Sequence, residues 1–236
     1  MALGVDEQMP LLKANRLSSG IADLDIILEG GYPNPGNLVL IGPGGMEKSA
    51  FAYHFAASAK PNENVYIICG NTSPSDIINK ASSLGLNLNR ENVYFIDCYS
   101  ATLGNVSAQA GPRIRSVLGP GALNDISLML NEAIKESAGK KMRLVFDTLS
   151  TFMLYNPQDS MRKFLSVIEG RLKSVGATTL YLLDEGVHDK QVISLVEHGM
   201  DGTYEISEKG GKFLLSVPEL DMPVPIRVGP SGIMIL

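Results

Sequence analysis

The sequence predicts an α/β fold: a mostly parallel central sheet flanked by helices on both faces, with antiparallel strands near the C-terminus. Three observations carry that prediction. Runs that are apolar throughout recur from Asn37 onward, the signature of strands buried on both faces. Stretches with helical spacing separate these runs, as crossovers between parallel strands require. After Asp201 no helical stretch intervenes, and short strand-like runs are joined by Gly and Pro turns.

Asn37-Leu38-Val39-Leu40-Ile41 is the first core strand, and Ser49 to Ala57 follows as a helix with Phe51 and Phe55 on one face. Val65 to Cys69 is the second strand. Its helix opens at Ser73-Pro74-Ser75-Asp76, where Ser73 can cap and Pro74 fits the first turn. Asn92 to Asp97 is a third strand, and Leu123 to Lys135 a helix with Ile126, Leu130 and Ile134 at four-residue steps. Arg143 to Asp147 is a strand ending in an acid. Ser160 to Lys173 is helical through Phe164, Leu165, Ile168 and Leu172, and Thr178 to Leu183 makes the fifth strand. Thr203 to Ser207, Lys212 to Val217 and Gly232 to Leu236 are read as antiparallel hairpins extending the sheet. Ser100 to Gly121, rich in Gly, Ser and Ala, is read as a surface loop.

Residues 1–236 are read as a single domain, with residues 1–36 as a lead-in and 201–236 as the antiparallel strands; 44% hydrophobic content suffices for one large core. No apolar run approaches the roughly 18 residues of a membrane span. Met1 to Lys13 lacks the basic start and apolar stretch of a signal peptide. The two cysteines, Cys69 and Cys98, sit in apolar runs and read as buried hydrophobes in a reducing compartment, so the expected location is cytoplasmic. His54, His188 and His198 show no metal-ligand spacing. A net charge of −5 argues against nucleic acid as a partner, which calls for a basic surface.

The most informative segment is Gly42-Pro43-Gly44-Gly45-Met46-Glu47-Lys48-Ser49. In the phosphate-binding pattern G-x-x-x-x-G-K-S/T, backbone N–H groups cradle phosphate, the Lys reaches its outer oxygens and the hydroxyl holds Mg²⁺. Strand, Gly-rich turn and helix is the context the pattern needs, because the helix N-terminus supplies the anion site. Every element is present except the second Gly, which is Glu47. Leu144-Val145-Phe146-Asp147 supplies the second part, an acid at a strand tip to hold Mg²⁺ through water. The candidate nucleotide-binding residues are thus Gly42 to Ser49, and the candidate metal residues are Ser49 and Asp147.

With these motifs in hand, the chain resembles the RecA/KaiC/RadA-like ATPases, specifically the single-domain KaiC-like proteins common in archaea. The resemblance extends to Arg16-Leu17-Ser18-Ser19-Gly20, Leu24-Asp25, Leu28-Glu29-Gly30-Gly31-Tyr32-Pro33, Ser73-Pro74, Asp147-Thr148-Leu149-Ser150, Gly199 to Tyr204 and Pro225 to Ile233. It implies a RecA-like P-loop fold, ATP and Mg as ligands, and self-association or assembly with related RecA-like subunits, with nucleotide at subunit interfaces.

Four departures fall on functional positions. Glu47 replaces a Gly, which would be strained if the position were left-handed. At about 5 Å and an effective dielectric near 20, its charge would repel phosphate by about 3 kcal/mol, or on the order of a hundredfold in affinity. Asn71 and Thr72 stand where relatives place a glutamate pair that activates water. Val217-Pro218-Glu219-Leu220-Asp221 stands where relatives supply cations to a neighbour's γ-phosphate. Asp184 to Lys190 is acidic where DNA-binding members carry basic mobile loops.

These losses predict a pseudo-ATPase with weak or lost nucleotide binding, acting as a regulatory or scaffolding protein with a protein partner. On that reading Glu47 folds into the loop's own N–H nest. The alternative is an oligomeric Mg-dependent ATPase in which Asn71 positions water. A recombination mediator binding single-stranded DNA is the third class, and the acidic balance argues against it.

Overall fold

The structure is a computed structural model that describes residues 15–104 and 111–236. The signal-peptide expectation for Met1 to Lys13, and the centre of the Ser100–Gly121 stretch, lie outside the described residues.

A lead-in comes first: β1 (Arg16–Leu17), α1 (Ala22–Ile27) and β2 (Tyr32–Pro33), the two strands paired antiparallel. Asp25 organises it, accepting from the Ser19 N–H at 2.7 Å and from the Ser18 and Ser19 hydroxyls. β3 (Gly36–Gly42) then enters the main sheet and leads into α2 (Met46–Ala57). β4 (Glu63–Cys69), α3 (Pro74–Ser83), β5 (Val93–Asp97) and a short β6 (Ile114–Ser116) follow. As its sequence predicts, α3 starts at Ser73, whose hydroxyl accepts from the Asp76 N–H at 3.2 Å. Next come α4 (Leu123–Glu136), β7 (Lys141–Asp147), α5 (Leu149–Tyr155), α6 (Gln158–Ser174), β8 (Thr178–Asp184) and α7 (Lys190–His198). β9 (Gly202–Lys209), β10 (Lys212–Ser216), β11 (Val224–Gly229) and β12 (Gly232–Ile235) close the described chain.

The main sheet has ten strands in the order β12-β11-β10-β9-β3-β8-β7-β4-β5-β6. From β9 to β6 all pairings are parallel; from β9 to β12 they are antiparallel. Two details differ from the sequence expectation. β9 pairs parallel with β3, so antiparallel pairing starts one strand later, at a Gly210-Gly211 turn with φ of 58° and 73°, the conformation a two-residue hairpin loop needs. And Ser100–Gly121 is not all loop: Ser100–Leu103 forms a 3₁₀ turn and β6 adds an edge strand.

Alternation within the strands divides the core. Leu38 and Leu40 face one side of the sheet and Val39 and Ile41 the other, as a two-residue period requires. Buried side chains of α1, α2 and α3 pack on the first face, and those of α4, α5, α6 and α7 on the second. α6 contributes Met161, Phe164, Leu165, Ile168 and Leu172 at helical spacing. The chain leaves β3 over one face and leaves β7 and β8 over the other. Such reversals open crevices at the carboxyl ends of parallel strands, and Gly42, Asp184 and Asp147 stand at those ends.

Candidate functional site

The loop after β3 turns into α2 through Gly45, whose φ of 163° is extended backbone and whose position offers no side-chain cap to the helix. The first N–H groups of α2 are therefore available to an anion. Beside them lies a cavity of about 230 Å³. The sequence-predicted residues Gly44, Gly45, Met46, Lys48, Ser49, Asn71, Thr72 and Asp147 all line it. Tyr53, Lys80, Thr148 and Asp184 line it as well, and sequence reasoning gave none of them a role there.

Asp184 is the consequential one. β8 lies between β3 and β7, and its register sets Asp184 directly across from Gly42. Its carboxylate forms an ion pair with the Lys48 ammonium, whose side chain is only 3% exposed. Lys48 Nζ also donates to the carbonyls of Leu183 at 3.1 Å and Gly42 at 3.3 Å. Asp184 is itself held: Thr148 Oγ1 lies 3.4 Å from its second carboxylate oxygen, and its N–H donates to Ser150 Oγ at 2.8 Å.

Asp147, at the tip of β7, is buried, and burial pushes its carboxyl up to about 6. Lys80 and Lys48 pull it down, in that order, and Asp184 adds to the rise. Burial also raises the Tyr53 phenol, with the Asp147 charge adding to the rise and a hydrogen bond with Ser49 opposing it. A buried carboxylate and a hydroxyl facing one cavity are hard oxygen donors of the kind Mg²⁺ takes. Asp147 and Ser49 fit such an ion, which would supply the positive charge that burial denies the carboxylate. Asn71 and Thr72 bond to each other, Thr72 Oγ1 to Asn71 Oδ1 at 3.1 Å, and put no carboxylate at their side of the cavity.

Gly42, Pro43 and Glu47 are not among the lining residues. Glu47 borders a different cavity, of about 560 Å³, with Lys212, Phe213, Ile226 and Arg227. Two expectations are thereby corrected. Glu47 is not in the left-handed region, since it sits in the first turn of α2 and has no positive φ. Nor does its carboxylate fill the N–H nest: among the described residues it takes no hydrogen bond from the loop, and it borders the neighbouring cavity whereas Lys48 lines this one. One Glu47 carboxylate oxygen does come within 2.8 Å of where a Gly45 Cβ would stand, so its charge remains at the loop.

The other singled-out residues fall elsewhere. Val217 to Asp221 joins β10 to β11, and Glu219 lies 3.9 Å from Arg16. Cys69 and Cys98 are free and buried, and burial raises both thiols. Among the described residues no group of three or more His, Cys, Asp or Glu could hold a metal, and no helix is long and apolar enough to cross a membrane.

A phosphate-loop turn on a parallel sheet, with an acid at the tip of the strand two places away, defines a P-loop protein of RecA-like architecture. The family profile described as "ATPase: KaiC" matches residues 17–212, and the chain belongs to that family. It is 26% identical over 176 residues to the circadian clock oscillator protein KaiC of Prochlorococcus marinus strain MIT 9313, covering 72% of this chain and 33% of that protein. The chain thus spans about a third of the length of such KaiC relatives. It is 25% identical over 194 residues to a UPF0273 protein of Thermotoga maritima, covering 79% of this chain and 77% of that one. The crystal structure of a KaiC-like protein from Pyrococcus horikoshii OT3 superposes with a TM-score of 0.70 at 19% identity, over 94% of this chain and 98% of that one, a likeness of fold.

Proposed function

We propose that this protein is a nucleotide-responsive pseudo-ATPase, a regulatory or scaffolding member of its family that binds Mg-nucleotide weakly and does not turn it over usefully. The observation that carries the reading is the composition of the loop cavity. It keeps the binding parts, namely uncapped helix N–H groups, Lys48, Ser49 and Asp147, but has Asn71 and Thr72 where a water-activating base would stand. Neither side chain accepts a proton at neutral pH.

Phosphoryl transfer depends on positioning and charge stabilisation, and charge is scarce here. The two cations lining the cavity, Lys48 and Lys80, are matched by Asp147 and Asp184, so a polyphosphate meets no net positive charge. Mg²⁺ held by Ser49 and Asp147 would neutralise phosphate oxygens. Lys80, exposed and closest in influence to Asp147, would steer the outer phosphates. The second cavity, with the apolar side chains of Phe213, Pro225 and Ile226, suits the nucleoside. Self-association, or assembly with related subunits, would complete the site from outside.

Calorimetric titration with Mg-ADP and Mg-ATP tests the binding half of this reading. Binding in the micromolar-to-millimolar range that Lys48→Ala removes and Glu47→Gly strengthens is the expected result. Heat-silent titrations of both wild type and Glu47→Gly would reduce the loop to a relic of the fold. The second reading, a working Mg-ATPase, is favoured by the presence of Asp147 and Lys48 together and by membership of the family described as "ATPase: KaiC", and Lys48-dependent multiple turnover would establish it.

A further inference from the structure

Lys48 has three N–H donors, and all three have acceptors inside the protein: the Asp184 carboxylate and the carbonyls of Gly42 and Leu183. An ammonium so arranged has no donor left for a phosphate. Asp184 is not a mobile surface acid that happens to lie close. Its backbone is fixed by strand pairing with Gly42 and by the Ser150 hydroxyl, and its second carboxylate oxygen faces Thr148 Oγ1. A Cβ on Gly44 would stand 3.9 Å from Asp184 Oδ1, so this carboxylate lies against the loop that would receive the phosphate. Its side chain is only 22% exposed, which limits screening by solvent.

We propose that Asp184 is the affinity-setting residue of this site, an internal anion that competes with polyphosphate for Lys48. The proposal rests on the nucleotide reading above and adds its regulation: nucleotide enters only as the Lys48–Asp184 pair opens. A ligand with several phosphate charges and a bound divalent cation can replace that carboxylate. A single phosphate group cannot, so the pair also selects di- and triphosphates over monophosphates.

Neutralising Asp184 would favour an anion merely by removing a like charge, so the test must separate that from competition for Lys48. A double-mutant cycle does so. Affinity for a fluorescent ADP analogue with Mg²⁺ is measured by anisotropy on the full chain: wild type, Asp184→Asn, Lys48→Met and both together. Competition predicts that Asp184→Asn binds about tenfold tighter or more, equivalent to about 1.4 kcal/mol, and that the gain vanishes when Lys48 is Met. A gain of equal size in the Lys48→Met background, or no gain in Asp184→Asn, overturns the proposal and leaves the nucleotide reading standing. If no variant binds, including Asp184→Asn combined with Glu47→Gly, both fall. Asp184→Ser provides a second neutral variant should the Asn protein not fold. Competition by AMP should improve more than competition by ADP when Asp184 is neutralised, because the discrimination against a single phosphate group is lost with the pair.

Discussion

The Arg143–Glu63 pair offers the sharpest test of how the frame around the loop is held. Arg143, near the start of β7, is 1% exposed and Glu63, at the start of β4, is 3% exposed. Arg143 donates from Nε at 3.0 Å and Nη2 at 2.8 Å to one Glu63 carboxylate oxygen. Its Nη1 reaches the Ser18 carbonyl at 2.8 Å, the Phe55 carbonyl at 2.9 Å and Ser58 Oγ at 3.0 Å, and the guanidinium carbon lies 4.8 Å from the centre of the Phe55 ring. One side chain thus ties the lead-in, the end of α2 and two core strands. Removing one partner of a buried pair leaves an uncompensated charge and destabilises by roughly 3–5 kcal/mol, whereas an apolar replacement of both is often near neutral. Glu63→Leu and Arg143→Met should each lower stability by about 3–5 kcal/mol in urea unfolding, or about 6–20 °C in Tm for a chain of this length. The double variant should be more stable than Glu63→Leu alone, though still below wild type because the Ser18 and Phe55 carbonyls lose a donor. A Glu63→Leu loss under about 1 kcal/mol, or a double variant losing the sum of the singles, would refute this account.

Two further predictions share a pH series of unfolding free energies. The His54 ring donates to the Gly20 carbonyl and accepts from the Ile233 N–H, both at 3.0 Å, an arrangement open only to the neutral form. Burial lowers His54 from 6.5, so the unfolded chain protonates first. Its stabilisation is present above about 6.5 and is lost as pH falls through the lower folded value; His54→Gln should flatten that acid limb, and an unchanged limb would contradict the assignment. Glu169 behaves oppositely: burial, then Asp201, raises it from 4.5 to about 7, so its relative stabilisation is present below 4.5 and lost as pH rises through about 7. After discounting for partial exposure, Glu169→Gln should gain about 1–2 kcal/mol over wild type at pH 8 and little at pH 4.5. Equal gains at both pH values would point to packing instead of charge.

The fold was legible because its signals are local. Val65 to Cys69 and Arg143 to Asp147 are apolar throughout because both faces of those strands are covered, and Ser73-Pro74 marks the start of α3 by capping chemistry alone. The loop and Asp147 were legible for the same reason. Asp184 was not, although Tyr181-Leu182-Leu183-Asp184 repeats the strand-ending-in-acid pattern of Leu144-Val145-Phe146-Asp147. Its role depends on β8 inserting between β3 and β7, and Lys48 meets it across 136 residues of sequence. Lys80 was equally hidden. Ile77 and Ala81 mark the buried face of α3, but nothing local says that the neighbouring Lys80 overlooks the loop cavity. Glu47 was legible in part: its charge does stay at the loop, near Gly45, but its side chain borders the cavity of Phe213 and Ile226 and not the one that Lys48 lines.

Binding without useful turnover leaves its mark in the fate of nucleotide incubated with the protein. The protein is incubated with about equimolar Mg-ATP at a concentration near its calorimetric Kd, without removal of free ligand, then quenched with acid and the nucleotide resolved chromatographically beside Lys48→Ala. The expected result is ATP that stays intact with both proteins, although calorimetry shows wild type binding it and Lys48→Ala not. ADP and phosphate accumulating in wild type but not in Lys48→Ala would show that the site hydrolyses ATP, and would contradict that expectation.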